Sequence, residues 1–155
     1  MAESWLPTST WKFDRDPLKL NLANGIYDLK TNILEEHSHE HLCLKQSQVA
    51  YEKGTSAKHW NDFVNTIFSC DQELIRFVKQ AVGYSLSGLS DLQVLIFCYG
   101  AGANGKSTFF GVLRELLGDY YQGIQIETLP AKSFQSSTEH YEMARFKGAR
   151  IVVSD

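Results

Sequence analysis

The chain has 155 residues, 43% of them hydrophobic and 21% charged, a composition typical of a folded globular protein and not of a disordered segment. Its net charge of −3 argues against a large basic surface for nucleic acid. The three cysteines are widely spaced, which excludes a disulfide framework or a set of zinc ligands.

Apolar residues alternate along residues 18–34, on both sides of an Asn-Gly pair. Leu18, Leu20 and Leu22 share one face of a strand, and Asn24-Gly25 supplies the positive φ angles of a tight hairpin. A second turn is expected at residues 30–32. The pattern predicts a small antiparallel β element within an N-terminal segment, residues 1–52.

Three histidines and a cysteine then recur at every second position, and on a strand they would line one face: His37, His39, His41 and Cys43. Neighbouring ligands on one strand rarely close a tetrahedral metal site. The interleaved glutamates favour a polar strand edge or a surface loop, so we predict no metal here.

Two helical stripes follow, and they predict a helical hairpin spanning residues 53–90. The first stripe contains Trp60, Phe63, Val64 and Ile67. The second contains Leu74, Phe77, Val78, Ala81 and Val82, with Asp71, or Ser69 and Gln72 as a capping box, at its start. Core positions are expected for the three aromatic residues. Residues 88–91 are predicted to form a linker.

The third predicted region, residues 91–155, alternates strands and a helix. Residues 94–99 form an apolar run that predicts a strand buried on both faces, with Cys98 inside it. The helix that follows should end at Gly118, with an apolar stripe of Phe109, Val112, Leu113 and Leu116. Ile124 with Ile126, and residues 151–153, indicate two further strands.

Between the first strand and the helix, residues 100–107 satisfy the pattern G-x-x-x-x-G-K-[ST] at every fixed position. Glycines let successive amide groups point into one concavity, and the helix start adds its positive end. The motif predicts that ATP is bound by nine consecutive residues: Gly100, Ala101, Gly102, Ala103, Asn104, Gly105, Lys106, Ser107 and Thr108.

Two residues are predicted to be catalytic in this site. Lys106 would neutralise charge on the transferred phosphoryl group. Asp155, which follows the strand at residues 151–153, lies where a P-loop enzyme places a second magnesium-organising carboxylate. We therefore expect Ser107 and Asp155 to hold Mg²⁺.

The loop sequence G-A-G-A-N-G-K-S-T at residues 100–108 resembles the P-loop of superfamily 3 helicases of the phage and plasmid primase-helicase type, relatives of the poxvirus NTPase-primase. Residues 21–29, 83–88 and 144–150 are similar to further elements of that family, in the same order. Ala101 replaces a proline common in the family, Gly111 lies inside the predicted helix, and Asp155 stands where glutamate is more frequent.

The resemblance implies an α/β fold, in which an incomplete P-loop NTPase core of the AAA+ type follows the β element and the helical hairpin. It also implies ATP hydrolysis coupled to DNA unwinding, with DNA, a primase and a ring-shaped homo-hexamer as partners. Because the chain ends at Asp155, we expect these residues alone to be a poor NTPase and no helicase.

Two other functions share the same loop. A small-molecule kinase should carry an arginine-rich lid after the helix, but residues 123–138 contain no arginine. A non-catalytic module that docks on a primase or helicase would retain a vestigial loop. No run of about 18 apolar residues and no signal peptide is present. The expected location is therefore the cytoplasm, that of the host if a phage or virus encodes the chain.

Overall fold

A three-stranded antiparallel sheet begins the regular structure in the computed structural model, which describes residues 12–124 and 146–154. Strand β2 (Gly25–Asp28) lies between β1 (Lys19–Leu22) and β3 (Ile33–Glu35). The predicted β element and its second turn are thereby confirmed.

The first turn lies one residue earlier than predicted. Leu22 pairs with Gly25, so the two loop residues are Ala23 and Asn24 instead of Asn24 and Gly25. Gly25 opens β2 with φ +153, and a β-carbon there would overlap the carbonyl oxygen of Glu35. The close approach of β3 therefore requires the glycine.

Two predicted helices are confirmed as α1 (Lys58–Ile67) and α2 (Gln72–Ser87). Asp71 caps α2, because its carboxylate accepts hydrogen bonds from the amides of Glu73 and Leu74, at 3.0 Å each. Among the described residues, no helix is both long and apolar enough to cross a membrane.

The buried face of α2 differs from the predicted stripe. Leu74 and Phe77 are 42% and 53% exposed, whereas Ile75 is buried and Val78 is partly buried. The core position expected for Phe77 is therefore wrong. Successive side chains on a helix point about 100° apart. Because α2 has apolar residues on more than one side, its sequence does not determine which side is buried.

The third helix, α3 (Lys106–Leu117), ends at Gly118 as predicted. After a 3₁₀ turn, strand β4 (Tyr121–Gly123) pairs in parallel with β5 (Ile151–Val153). The strand expected around Ile124 thus begins earlier, while Ile126 lies outside the described residues. Val152 is 46% exposed, so β5 is not the fully buried strand that its sequence indicated.

The strand predicted at residues 94–99 is wrong. This segment forms no strand, every one of its residues is exposed, and Phe97 and Tyr99 reach 77% and 93% exposure. Cys98 is likewise exposed instead of buried. Within residues 12–124 and 146–154 no strand pairs with the segment, and an apolar run without a neighbouring strand leaves its backbone groups to water.

The described chain is therefore a mixed α/β structure with three helices and two small sheets. Its core joins β1, the end of α3 and the following turn through Leu20, Leu117 and Tyr120. The hydroxyl of the buried Ser47 donates to the carbonyl of Leu116, at 2.6 Å, and holds the N-terminal segment on α3.

Candidate functional site

The glycine-rich loop at residues 100–105 turns sharply before α3. Gly100, Ala103 and Gly105 adopt φ values of +156°, +57° and +85°. Positive φ is readily available to glycine and is costly for alanine, so Ala103 is a strained position within the loop. The loop thus has the bent backbone that the motif predicts.

Helix α3 begins directly after this bend. Gly105 is its N-cap residue and offers no side-chain acceptor, and the first backbone bond runs from Phe109 N to Gly105 O, at 2.9 Å. In the part of the chain that the structure describes, the amides of Ser107 and Thr108 donate to no acceptor. Free amides at a helix start, with the positive end of the dipole, favour an anion.

The side chain of Lys106 folds back over the loop. Its Nζ donates to the carbonyl oxygen of Gly100 at 3.2 Å and to Oδ1 of Asn104 at 2.9 Å. Both acceptors are neutral, and among the described residues no carboxylate forms a salt bridge with this ammonium. Its full charge therefore remains available to an anionic ligand.

The loop is open to solvent on the side where these groups meet. Exposed residues make up most of the predicted ATP-binding set: Gly100, Ala101, Gly102, Ala103, Asn104, Ser107 and Thr108. Gly105 and Lys106 are partly buried, because α1 lies against this end of the loop. The structure thus brings the predicted residues together at the surface, next to a helix end.

Helix α1 supplies a contact that the sequence reasoning missed. Trp60 stacks on Phe109 of α3 with ring centroids 5.4 Å apart, and Phe68 meets the same ring edge-on at 6.3 Å. A β-carbon on Gly105 would lie 2.6 Å from Cγ2 of Ile67. The helical stripe of α1 was the available signal, but periodicity alone does not identify a partner.

The predicted acidic member of the site, Asp155, lies outside the described residues. The strand before it, β5, is present, and its register with β4 places Val153 opposite Gly123. The roles predicted for Asp155 in catalysis and in magnesium binding remain predictions.

The alternating histidines lie in a loop and a turn and do not line one face of a strand. Residues His39–His41 form a 3₁₀ turn instead of a strand, and no metal-binding cluster occurs among the residues the structure describes. Glu35 instead accepts from Lys19 Nζ at 2.6 Å and lies 3.4 Å from His41. The hydrogen bond from Lys19 to Glu35 raises the pKa of this lysine.

Near the C-terminal end of α3, Arg150 joins three segments of the chain. Its guanidinium donates to the carbonyl oxygens of Pro17, Lys19 and Leu86, and its own amide donates to Tyr120 O at 2.8 Å. Burial lowers the pKa of Arg150 and raises that of Tyr120 to about 12. These groups are structural, since they bond to backbone atoms of the fold.

The chain is similar to a protein family and to a viral protein. A family described as "D5 N terminal like" matches residues 2–69, which is less than half of the chain. A protein of Acanthamoeba polyphaga mimivirus, described as a candidate helicase, is 26% identical over 153 residues. That match covers 96% of this chain and 16% of the mimivirus protein, so the chain spans about a sixth of its relative.

Proposed function

We propose that residues 100–108 bind the polyphosphate of ATP with Mg²⁺, and that the chain is the nucleotide-binding part of a viral DNA helicase. The observation that carries the proposal is the position of Lys106. Its ammonium lies over a bent loop, held by two neutral oxygens, at the start of a helix. There the amides of Ser107 and Thr108 donate to no acceptor among the described residues. This arrangement suits an anion with several oxygen atoms.

The chemistry of the residues in this loop supports binding of Mg²⁺-ATP. Oxygens of the β- and γ-phosphates would replace Gly100 O and Asn104 Oδ1 as partners of Lys106, and the amides of Ser107 and Thr108 would donate to them. The Ser107 hydroxyl is exposed and would help to hold the metal, with Asp155 as the proposed second ligand. Bound Mg²⁺ would neutralise part of the negative charge of the phosphates.

The helicase part of the proposal is supported by the mimivirus relative and by the match of residues 2–69 to the D5 N-terminal family. DNA, a primase and a homo-hexameric ring are the partners we propose for the whole assembly. With a net charge of −3, this chain would contribute few of the DNA contacts itself.

The test is calorimetric titration of Mg²⁺-ATP into the purified chain and two lysine variants. Lys106→Ala removes charge-assisted hydrogen bonds worth about 1.5–3 kcal/mol, so binding should weaken roughly tenfold to a hundredfold. Lys79→Ala, an exposed lysine on α2, is the matched control and should bind like the wild type. Superimposable titrations for the wild type and Lys106→Ala would contradict the proposal.

A further inference from the structure

The end of α1 lies against the glycine that begins α3. The three atoms nearest to a β-carbon added at Gly105 would be Ile67 Cγ2 at 2.6 Å, Phe63 Cε2 at 3.4 Å and Ile67 Cβ at 3.5 Å. Ile67 is the last residue of α1 and is partly buried. Two features therefore favour glycine at this position: its left-handed backbone, at φ +85°, and the close approach of Ile67 from another helix.

A second contact joins α1, and the residue that follows it, to α3 one turn after Gly105. Phe109, which is 8% exposed, receives Trp60 in a stacked contact and Phe68 in an edge contact. Aromatic pairs of this kind stabilise the contact between the two elements. Helix α1 and the residue after it thus meet α3 and its N-cap at two places, Phe109 and Gly105.

We propose that Ile67 is a positioning residue of the nucleotide site, acting through Gly105 on the loop and on the first turn of α3. This inference rests on the proposed function and deepens it. Gly105 precedes Lys106, Ser107 and Thr108, so a shift of the glycine re-aims the ammonium and both amides. A misplacement of about 1 Å is enough to weaken a preorganised site.

If Ile67 influences nucleotide binding through Gly105, nucleotide binding also influences the contact between α1 and α3. A ligand that draws the loop into one arrangement stabilises the contact between α1 and α3, since linkage between two sites is reciprocal. Nucleotide binding is thereby connected to the segment that resembles the D5 N-terminal family, because α1 lies within residues 2–69.

The experiment compares four variants of the full 155-residue chain by Mg²⁺-ATP titration and thermal unfolding. Ile67→Ala removes Cγ2 and should raise the Kd about five- to tenfold. Ile67→Val retains a γ-methyl group at this place and should stay within about twofold of the wild type. Ile67→Leu conserves volume but lacks the branch at Cβ, so it should weaken binding even if Ile67→Ala fails to fold.

Val64→Ala is the matched control for lost packing. Val64 is 4% exposed and lies on the same helix, so its truncation lowers the melting temperature without removing an atom next to Gly105. Its Kd should stay within about twofold of the wild type. An unchanged Kd in both Ile67→Ala and Ile67→Leu, or an equal rise in Val64→Ala, would overturn the proposal.

A second measurement separates this inference from the proposed function. Amide chemical shifts of residues 105–108 are recorded by NMR without nucleotide, in the wild type, Ile67→Leu and Val64→Ala. Shifts that move in Ile67→Leu and not in Val64→Ala support the positioning role even if the wild type binds no ATP. Unmoved shifts in Ile67→Leu show that α1 does not position the loop.

Discussion

The hydroxyl of Tyr120 accepts a hydrogen bond from the backbone amide of Asn21 at 3.0 Å, although the two residues are 99 positions apart. The same hydroxyl donates to the carbonyl of Lys45 at 3.1 Å. Tyr120 is 2% exposed, and burial is the main cause of its raised pKa, about 12. One phenol thus joins the N-terminal sheet, the segment after it and the end of α3.

This phenol should make the protein sensitive to alkali. The unfolded chain loses the Tyr120 proton near its ordinary pKa of about 10, whereas the folded chain retains it to about 12. The stabilisation that Tyr120 contributes is therefore fully present below pH 10. The free energy of unfolding should fall by about 2–3 kcal/mol between pH 10 and 12. Denaturant unfolding at several pH values measures the fall.

Tyr120→Phe tests the assignment, because a chain without this hydroxyl should show a smaller fall over the same interval. At neutral pH the variant leaves the buried amide of Asn21 without an acceptor, which should cost about 1–3 kcal/mol. An alkaline transition identical in the two proteins would show that another group controls it.

Arg150→Met should destabilise the chain by about 2–4 kcal/mol, since the carbonyl oxygens of Pro17, Lys19 and Leu86 would lose a donor in a partly buried place. Arg76→Met makes the same replacement at an exposed site on α2 and should change stability by less than about 0.5 kcal/mol. Chemical denaturation compares the two. Equal losses would mean that the Arg150 contacts contribute nothing.

Asn104→Asp should weaken Mg²⁺-ATP binding more than Asn104→Ala. In the wild type, Oδ1 of Asn104 holds Lys106 with a neutral oxygen. A carboxylate there would pair with the ammonium and repel phosphate, at a cost of about 1–3 kcal/mol, whereas alanine removes only a hydrogen bond. Titration at two salt concentrations checks the charge origin. Tighter binding by Asn104→Asp would contradict it.

Two glycines of the same region should respond oppositely to alanine. Gly111 lies inside α3 with no atom within 4 Å of a β-carbon, so Gly111→Ala should stabilise the chain by about 0.5–1 kcal/mol. In Gly105→Ala the new β-carbon would clash with Ile67, and the left-handed backbone is unfavourable for alanine, so the chain should lose more than roughly 1 kcal/mol of stability. Thermal unfolding measures both, and a stabilising Gly105→Ala would refute the described loop geometry.

The apolar segment at residues 92–99 should promote self-association. Leu95 and Phe97 are 75% and 77% exposed, so replacing both with serine should reduce concentration-dependent aggregation and leave the melting temperature nearly unchanged. Leu113→Ser, at a buried position of α3, is the contrasting variant and should unfold the chain. A large loss of stability in the double variant would show that residues 92–99 are packed after all.

Sequence motifs that are far apart meet in the fold. Gly88 ends one segment that resembles the helicase family, and Arg150 ends another. A β-carbon on Gly88 would overlap the Arg150 guanidinium, which also donates to Leu86 O at 3.2 Å. One contact thus joins these two segments of the chain, and their spacing along the sequence did not reveal it.

Local chemistry was enough to predict the β-hairpin and the three helices, and it offered Asp71 as one of two candidate caps for α2. Each depends on residues within a few positions of one another, so a short window contains the cause. Residues 94–99 had an equally clear apolar pattern, yet they form no strand, because strand formation requires a partner that the window does not contain. The buried face of α2, the bonds of Tyr120 and Arg150, and the contact of Ile67 with Gly105 were decided by tertiary packing, since they join segments whose meeting no local preference determines.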